Sequence, residues 1–263
     1  MNRSILSLAA IALAAASAAA QQANPQAEPN NDDVRTLNIR INDPRPLAAA
    51  AMELEQRHGT LISYEDPAYA NPADLKNVGA EVRRGFENVP AEHVPALWIP
   101  KGGALNFAYQ ASRATGKPIS DADTLQAMLD AHLAAGNAGG FRAVRSGPMI
   151  HLIPSSITNE AGISAPVAPV LDANITLARV SGPAVSGLEA LCDSVTKATG
   201  VTVVPGTFPV NLFAKAAVDL RAENANARET LKALLAQLPG KFSWQLLYDP
   251  GLKFYALNIH SID

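Results

Sequence analysis

Residues 218–249 read VDLRAENANARETLKALLAQLPGKFSWQLLYD, and the fold class follows from their pattern. Ala217 to Arg221 alternates, with Val218 and Leu220 on one side, as a half-buried strand does. Asn226 and Glu229 stand at the spacing of a helix N-cap and its third residue. Leu231, Leu234, Leu235 and Leu238 then recur at helical spacing, and Pro239-Gly240 ends the helix. Phe242 to Tyr248, a turn at Asp249-Pro250-Gly251 and Lys253 to Ile259 predict a closing hairpin.

Upstream, Ile175 to Val180 reads as a strand. Ser186 and Glu189 have capping-box spacing, and Leu188, Leu191, Cys192 and Val195 give the apolar face of a helix stopped by Gly200. Val201 to Val204 is a further strand.

The first half of the chain has the same order. Thr36 to Ile41 alternates as a strand, and Asp43 with Pro44 predicts a helix start. That helix carries Leu47, Ala50, Ala51, Leu54 and His58 and stops at Gly59; Thr60 to Tyr64 follows as a strand. Leu97 to Ile99 and Leu105 to Tyr109 predict a hairpin around Lys101-Gly102-Gly103. Ser120 and Asp123 predict a capped helix with Leu125, Met128, Leu129 and His132 on one face, ended by Gly136. Phe141 to Arg145 and Met149 to Ile153 predict two strands around Ser146-Gly147-Pro148.

The expected fold is α+β: two tandem small modules, each with two helices on one face of a small mixed sheet, in the order β-α-β-β-α-β-β. The first module spans 36–154, with an insertion at 65–95 rich in Pro, Asn and charge, and the second spans 174–263. Residues 155–173 hold two prolines and little charge and predict a linker.

Residues 1–20 read as a secretory signal peptide: Arg3 is the positive start, Ile5 to Ala16 is apolar, and Ala18-Ala19-Ala20 supplies small residues for cleavage after Ala20. The apolar run is shorter than the roughly 20 residues a membrane span needs. No later stretch is apolar enough, so no membrane span is expected after cleavage. Residues 21–35 predict a disordered leader of Gln, Asn, Pro and acid. The expected location is periplasmic or secreted. Net charge is −3, which gives no electrostatic reason to expect nucleic acid. Cys192 is the sole cysteine, so an intramolecular disulfide and a multi-cysteine zinc site are both excluded.

The second half resembles the short N-terminal domain of bacterial secretins and TonB-dependent receptors, through residues 188–204 (LEALCDSVTKATGVTVV), 218–249 and 253–262 (KFYALNIHSI). Residues 47–67 and 124–144 of the first half show the same pattern. The resemblance implies a periplasmic interaction module with no catalytic residues. In secretins such a module builds rings; in receptors it contacts a membrane-bound signalling partner. Neither a barrel nor a plug is expected from the remaining sequence.

Tyr64, Glu65, Asp66 and Tyr69 form the most distinctive local string. They are candidates for contact with a cation or a cationic group, against an ordinary structural turn at Asp66-Pro67. Adjacent carboxylates on an extended chain point to opposite sides and do not make an acid–base pair. The five histidines (His58, His93, His132, His151 and His260) show no close metal-ligand spacing. His58 and His132 fall late in helices, where they suit the dipole. Cys192 is expected buried and inert. Lys101-Gly102-Gly103 lacks Walker spacing and reads as a turn. Trp98, Phe107, Tyr109, Trp244 and Tyr255 lie on predicted strands, as core or as an exposed aromatic row.

No catalytic set, metal or cofactor is called for. The expected function is non-enzymatic: contact with an unknown envelope protein, or self-association, through sheet edges or helix faces. The alternative is a small-molecule or glycan binder with a cleft between the modules or under the 65–95 insertion. A hydrolase would require a nucleophile and a base converging in a pocket.

Overall fold

The computed structural model describes residues 33–82, 89–90 and 93–262. The expected signal peptide lies outside the described residues, as does part of the 65–95 insertion. Among the described residues, six helices and thirteen strands make a mixed α/β fold.

The first half runs β1 (Val34–Asp43), α1 (Pro46–His58), β2 (Leu61–Glu65), β3 (Leu75–Asn77), α2 (Gly79–Val82), β4 (Trp98–Pro100), β5 (Gly103–Ser112), α3 (Asp121–Ala134), β6 (Gly140–Ser146) and β7 (Met149–Thr158). After β8 (Ser164–Pro166), the second half runs β9 (Asn174–Pro183), α4 (Ala184–Thr199), β10 (Val203–Pro205), α5 (Val210–Lys215), β11 (Ala217–Asn226), α6 (Ala227–Leu235), β12 (Lys241–Asp249) and β13 (Phe254–Ile262).

The strands of each half separate into two groups. One is a two-stranded antiparallel ribbon, β1 with β5 or β9 with β11. The other is three strands: β2-β7-β6 in the first half and β10-β13-β12 in the second, each with one parallel and one antiparallel pairing. Helices lie between the two groups. Ile39, Leu105 and Phe107 of the first ribbon share a core with Leu47 and Leu54 of α1, Leu125 and Met128 of α3, and Ile62, Ile150 and Leu152 of the strands. Leu177, Val218 and Leu220 share the second core with Leu188, Leu191, Leu231, Trp244 and Leu257. Each fully buried leucine contributes on the order of 2 kcal/mol.

The halves are fused. β12 pairs in parallel with β2, giving one sheet in the order β10-β13-β12-β2-β7-β6, with β8 added on β7. Their helices cover opposite faces of it, because strand side chains alternate. Trp244 and Leu246 of β12 point into the second core, while Leu247 packs against the first. Each half also reaches across the join. Gln245 donates to Ala48 O on α1 at 3.3 Å, His260 bonds Glu55 on α1 at 2.8 Å, and Arg228 on α6 bonds Glu65 of β2 at 2.6 Å.

Several expectations change. β5 does not form a hairpin with β4; it pairs over ten residues with β1, while β4 pairs with β3. Gly102 permits this, since a Cβ there would sit 2.2 Å from Pro44 O, so the turn lays β5 beside the end of β1. Helix α1 starts at Pro46, not Pro44: Asp43 accepts from the Arg45 amide at 2.7 Å and forms a turn ahead of the helix. Helix α4 starts directly after Pro183, so Ser186 lies inside its first turn and does not cap it. The caps at Ser120 and Asn226 are as expected. The stretch read as a linker is ordered into the end of β7, β8 and a turn that buries Leu171. The leader reading to residue 35 overlaps β1, which begins at Val34.

Candidate functional site

Strand β2 delivers Tyr64, Glu65 and Asp66 to the join between the halves, and all three are buried, as is Tyr69. Pleating sends the two carboxylates to opposite faces. Glu65 accepts from the Val170 and Leu171 amides and pairs with Arg228, which also bonds Asp172 at 3.1 Å. Burial holds the Glu65 carboxyl above the usual carboxylate range, and Arg228 and the amides pull against it. Asp66 accepts from Arg45 Nε at 2.6 Å, the Tyr248 amide at 2.9 Å, Tyr64 Oη at 2.8 Å and Tyr69 Oη at 3.3 Å. Burial beside Asp66 drives both phenols well above their ordinary value. Both carboxylates are held by groups of the protein itself, Glu65 by Arg228 and Asp66 by the Tyr248 amide from the other half, so the arrangement is a clasp between the halves.

One serine–histidine pair lies on the face of β2 that carries Glu65. Ser63 Oγ is 2.6 Å from His151 Nδ1, and both residues are buried. Burial, with Arg228 and Lys232 nearby, pushes His151 down to about 4, so the ring is neutral at pH 7. No carboxylate orients the imidazole among the described residues, and Ser63 is fully enclosed, so the pair lacks two requirements of an activated nucleophile. His151 Nε2 and Arg228 Nη1 have no hydrogen-bond partner among the described residues. Both side chains line a cleft of about 550 Å³ between the β6–β7 hairpin and the start of α6, with Arg142, Arg145, Asp172, Asn226 and Glu229. A more apolar cleft of about 480 Å³ continues beside α6 past Met149, Lys232 and Trp244.

The two ends of the fused sheet differ. At β10, Thr196 Oγ1 accepts from the Val203 amide at 2.9 Å and donates to its carbonyl at 3.3 Å. Pro205, the next residue whose backbone faces outward, has no amide hydrogen. That edge is closed. At β6, the backbone bonds only to β7 among the described residues. The Asp66 amide bonds Leu246 O, and the Ile62 amide bonds Glu55, so Ser63 is the residue of β2 whose backbone faces β7. Ile150 and Leu152 therefore face β2, and their cross-strand neighbours Arg145 and Ala143 turn amide and carbonyl outward. Both residues are exposed. The sequence gives no sign of this edge, because register and strand order decide which residues face out.

The remaining candidates are structural. His132 Nε2 lies 3.1 Å from Gly139 O and 3.2 Å from Ala138 O, and His58 bonds Tyr109 Oη at 2.7 Å; burial lowers both histidines. Cys192 is buried, which pushes its thiol up to about 12. Phe107, Tyr109, Trp244 and Tyr255 belong to the cores, and Trp98 is exposed. Among the described residues no three His, Cys, Asp or Glu side chains converge, and no helix is long and apolar enough to cross a membrane. No family model, curated protein or solved structure matches the chain.

Proposed function

We propose that this chain is a non-enzymatic interaction module that works outside the cytoplasm, in the periplasm or after secretion, through protein–protein contacts. The observation that carries this reading is the asymmetry of the fused sheet: the β10 end is closed by Thr196 and a proline, and the β6 end has backbone groups without a partner among the described residues. An exposed edge is a template for a further strand, and proteins that have no use for one generally cover it. The enclosed Ser63–His151 pair gives no support to hydrolysis. The likeness to the secretin and TonB receptor domains points the same way: the residues that carry it form helix α4, helix α6 and the β12–β13 hairpin.

The test is photo-cross-linking in cells, with a photoreactive amino acid placed singly at exposed positions on β6, β1 and β9. The reading predicts an adduct of defined mass from at least one of these strands. Monomer alone from every position contradicts it.

A second reading, a small-molecule or glycan binder, draws on the cleft at α6 and the two unpartnered nitrogens that line it. It predicts that a panel of sugars and small anions raises the melting temperature, and that Arg142→Ala removes the effect.

A further inference from the structure

The chain carries its own example of what the open edge accepts. β6 and β12 hold the same place in their halves, each antiparallel to the central strand and on the side away from the parallel one. Their registers align through the parallel pairs: Leu61 is two residues after Gly59, Thr202 is two after Gly200, and these glycines end α1 and α4 alike. Ile150 then matches Tyr255 and Leu152 matches Leu257, so Arg145 matches Tyr248 and Ala143 matches Leu246.

Leu246 and Tyr248 are the residues through which β12 receives β2. The Asp66 amide donates to Leu246 O at 2.8 Å, and the Asp66 carboxylate accepts from the Tyr248 amide at 2.9 Å. The occupant of the β12 edge is thus an extended, parallel segment that ends in a carboxylate.

We infer that the β6 edge binds an extended acidic segment of a partner chain, running parallel to β6, with its backbone amide on Ala143 O and its carboxylate on the Arg145 amide. Charge suits this occupant. Arg142 and Arg145 flank the site on opposite faces of β6, each with about half of its side chain exposed; Arg142 lies 3.9 Å from Asp172 and Arg145 2.8 Å from Asp121, exposed pairs of the weak kind that an incoming carboxylate can join, and Arg228 lines the adjoining cleft. A second copy of this chain is the less suited occupant: its β10 edge is closed, and β6 against β6 in antiparallel register about Val144 would set the two Arg145 side chains diagonally on one face, which like charges oppose.

The inference rests on the interaction-module reading, and the two can fail separately: cross-links from β1 or β9 with none from β6 would end this inference and leave that reading standing. The direct probe is a synthetic peptide of residues 60–70, TLISYEDPAYA, titrated into the isotope-labelled chain and followed by amide NMR shifts and hydrogen exchange. Shifts and slowed exchange centred on Ala143 and Arg145 are expected. A peptide with Asp66→Asn should bind at least about 5-fold more weakly, since hydrogen bonds to a charged acceptor are the stronger kind. In a parallel pairing Ala143 bonds the partner through its amide as well as its carbonyl, so Ala143→Pro, which removes that outward amide and no bond to β7, should abolish binding with the far-ultraviolet spectrum retained. Arg145→Glu, at an exposed site, gives a second variant and should weaken binding about 10-fold. No binding at millimolar peptide, binding unaffected by both variants, or shifts centred elsewhere overturns the inference. So does slow exchange at Ala143 and Arg145 in the free chain, which would mean that the edge is already covered. A dimer in light scattering that Ala143→Pro dissociates overturns it in favour of self-pairing.

Discussion

Removal of the Asp66 carboxylate separates a clasp from a ligand site. Asp66→Ala leaves the Tyr248 amide and the hydroxyls of Tyr64 and Tyr69 without their acceptor, and leaves Arg45 without its ion pair. A buried polar group stripped of its partner costs about 1–3 kcal/mol, and breaking a buried ion pair costs about 3–5 kcal/mol. The Arg45 side chain is 19% exposed, so water relieves part of its loss. The expected cost is about 4 kcal/mol, a large share of the roughly 5–15 kcal/mol that holds a domain folded. Asp66→Asn keeps an oxygen for the phenols and loses the charge, and should cost about half as much. The assay is urea denaturation at pH 7 of the chain lacking residues 1–20, followed by tryptophan fluorescence and by far-ultraviolet dichroism. The two signals should coincide in the wild type, because both halves share one sheet. A cost below about 1 kcal/mol for Asp66→Ala, or two separate transitions in the wild type, would refute the clasp.

Further outcomes follow from the same structure. His151 is pushed from 6.5 to about 4 in the fold, so between those values the unfolded chain takes up a proton that the folded chain does not. Stability therefore falls as pH drops from 6.5 toward 4, by up to about 3 kcal/mol from this residue. Denaturation of His151→Gln at pH 7 and pH 4.5 should show a smaller acid loss than the wild type; an equal loss would remove His151 as a source. Gly102→Ala drives a Cβ into the backbone oxygens of Pro44 and Asp43 and should cost about 1–3 kcal/mol by thermal denaturation, whereas an unchanged melting point would mean that the β4–β5 turn moves freely. Cys192, buried with its thiol pushed up to about 12, should react with a thiol reagent at pH 8 only after denaturant is added; prompt labelling of the native chain would contradict its burial.

Local chemistry was legible in the sequence, and long-range pairing was not. The apolar stripes of α3, α4 and α6, the stop of α4 at Gly200, the caps at Ser120 and Asn226 and the hairpin β12–β13 each depend on residues within a few positions of one another, whereas α6 ends at Leu235, ahead of the expected stop at Pro239-Gly240. The partner of β5 lies more than sixty residues upstream, and only the close approach of Gly102 to Pro44 decides it. The string Tyr64 to Tyr69 stood out as chemistry, because adjacent acids between tyrosines are unusual on a strand. Its partners, Arg228 and Tyr248, come from the other half, so nothing nearby marks it as a buried join. The open edge is carried by backbone atoms of Ala143 and Arg145, whose side chains give no signal. The closed edge could have been suspected from Pro205 alone.

Amide hydrogen exchange of the free chain, resolved by residue, tests the account at its centre. With one sheet across both halves and one open end, the amides of Asp66, Leu246 and Tyr248 at the join and of Val144 on β6 exchange slowly, while those of Ala143 and Arg145 exchange orders of magnitude faster. Ala143 and Arg145 as protected as Val144, or fast exchange at Leu246 and Tyr248, would contradict it.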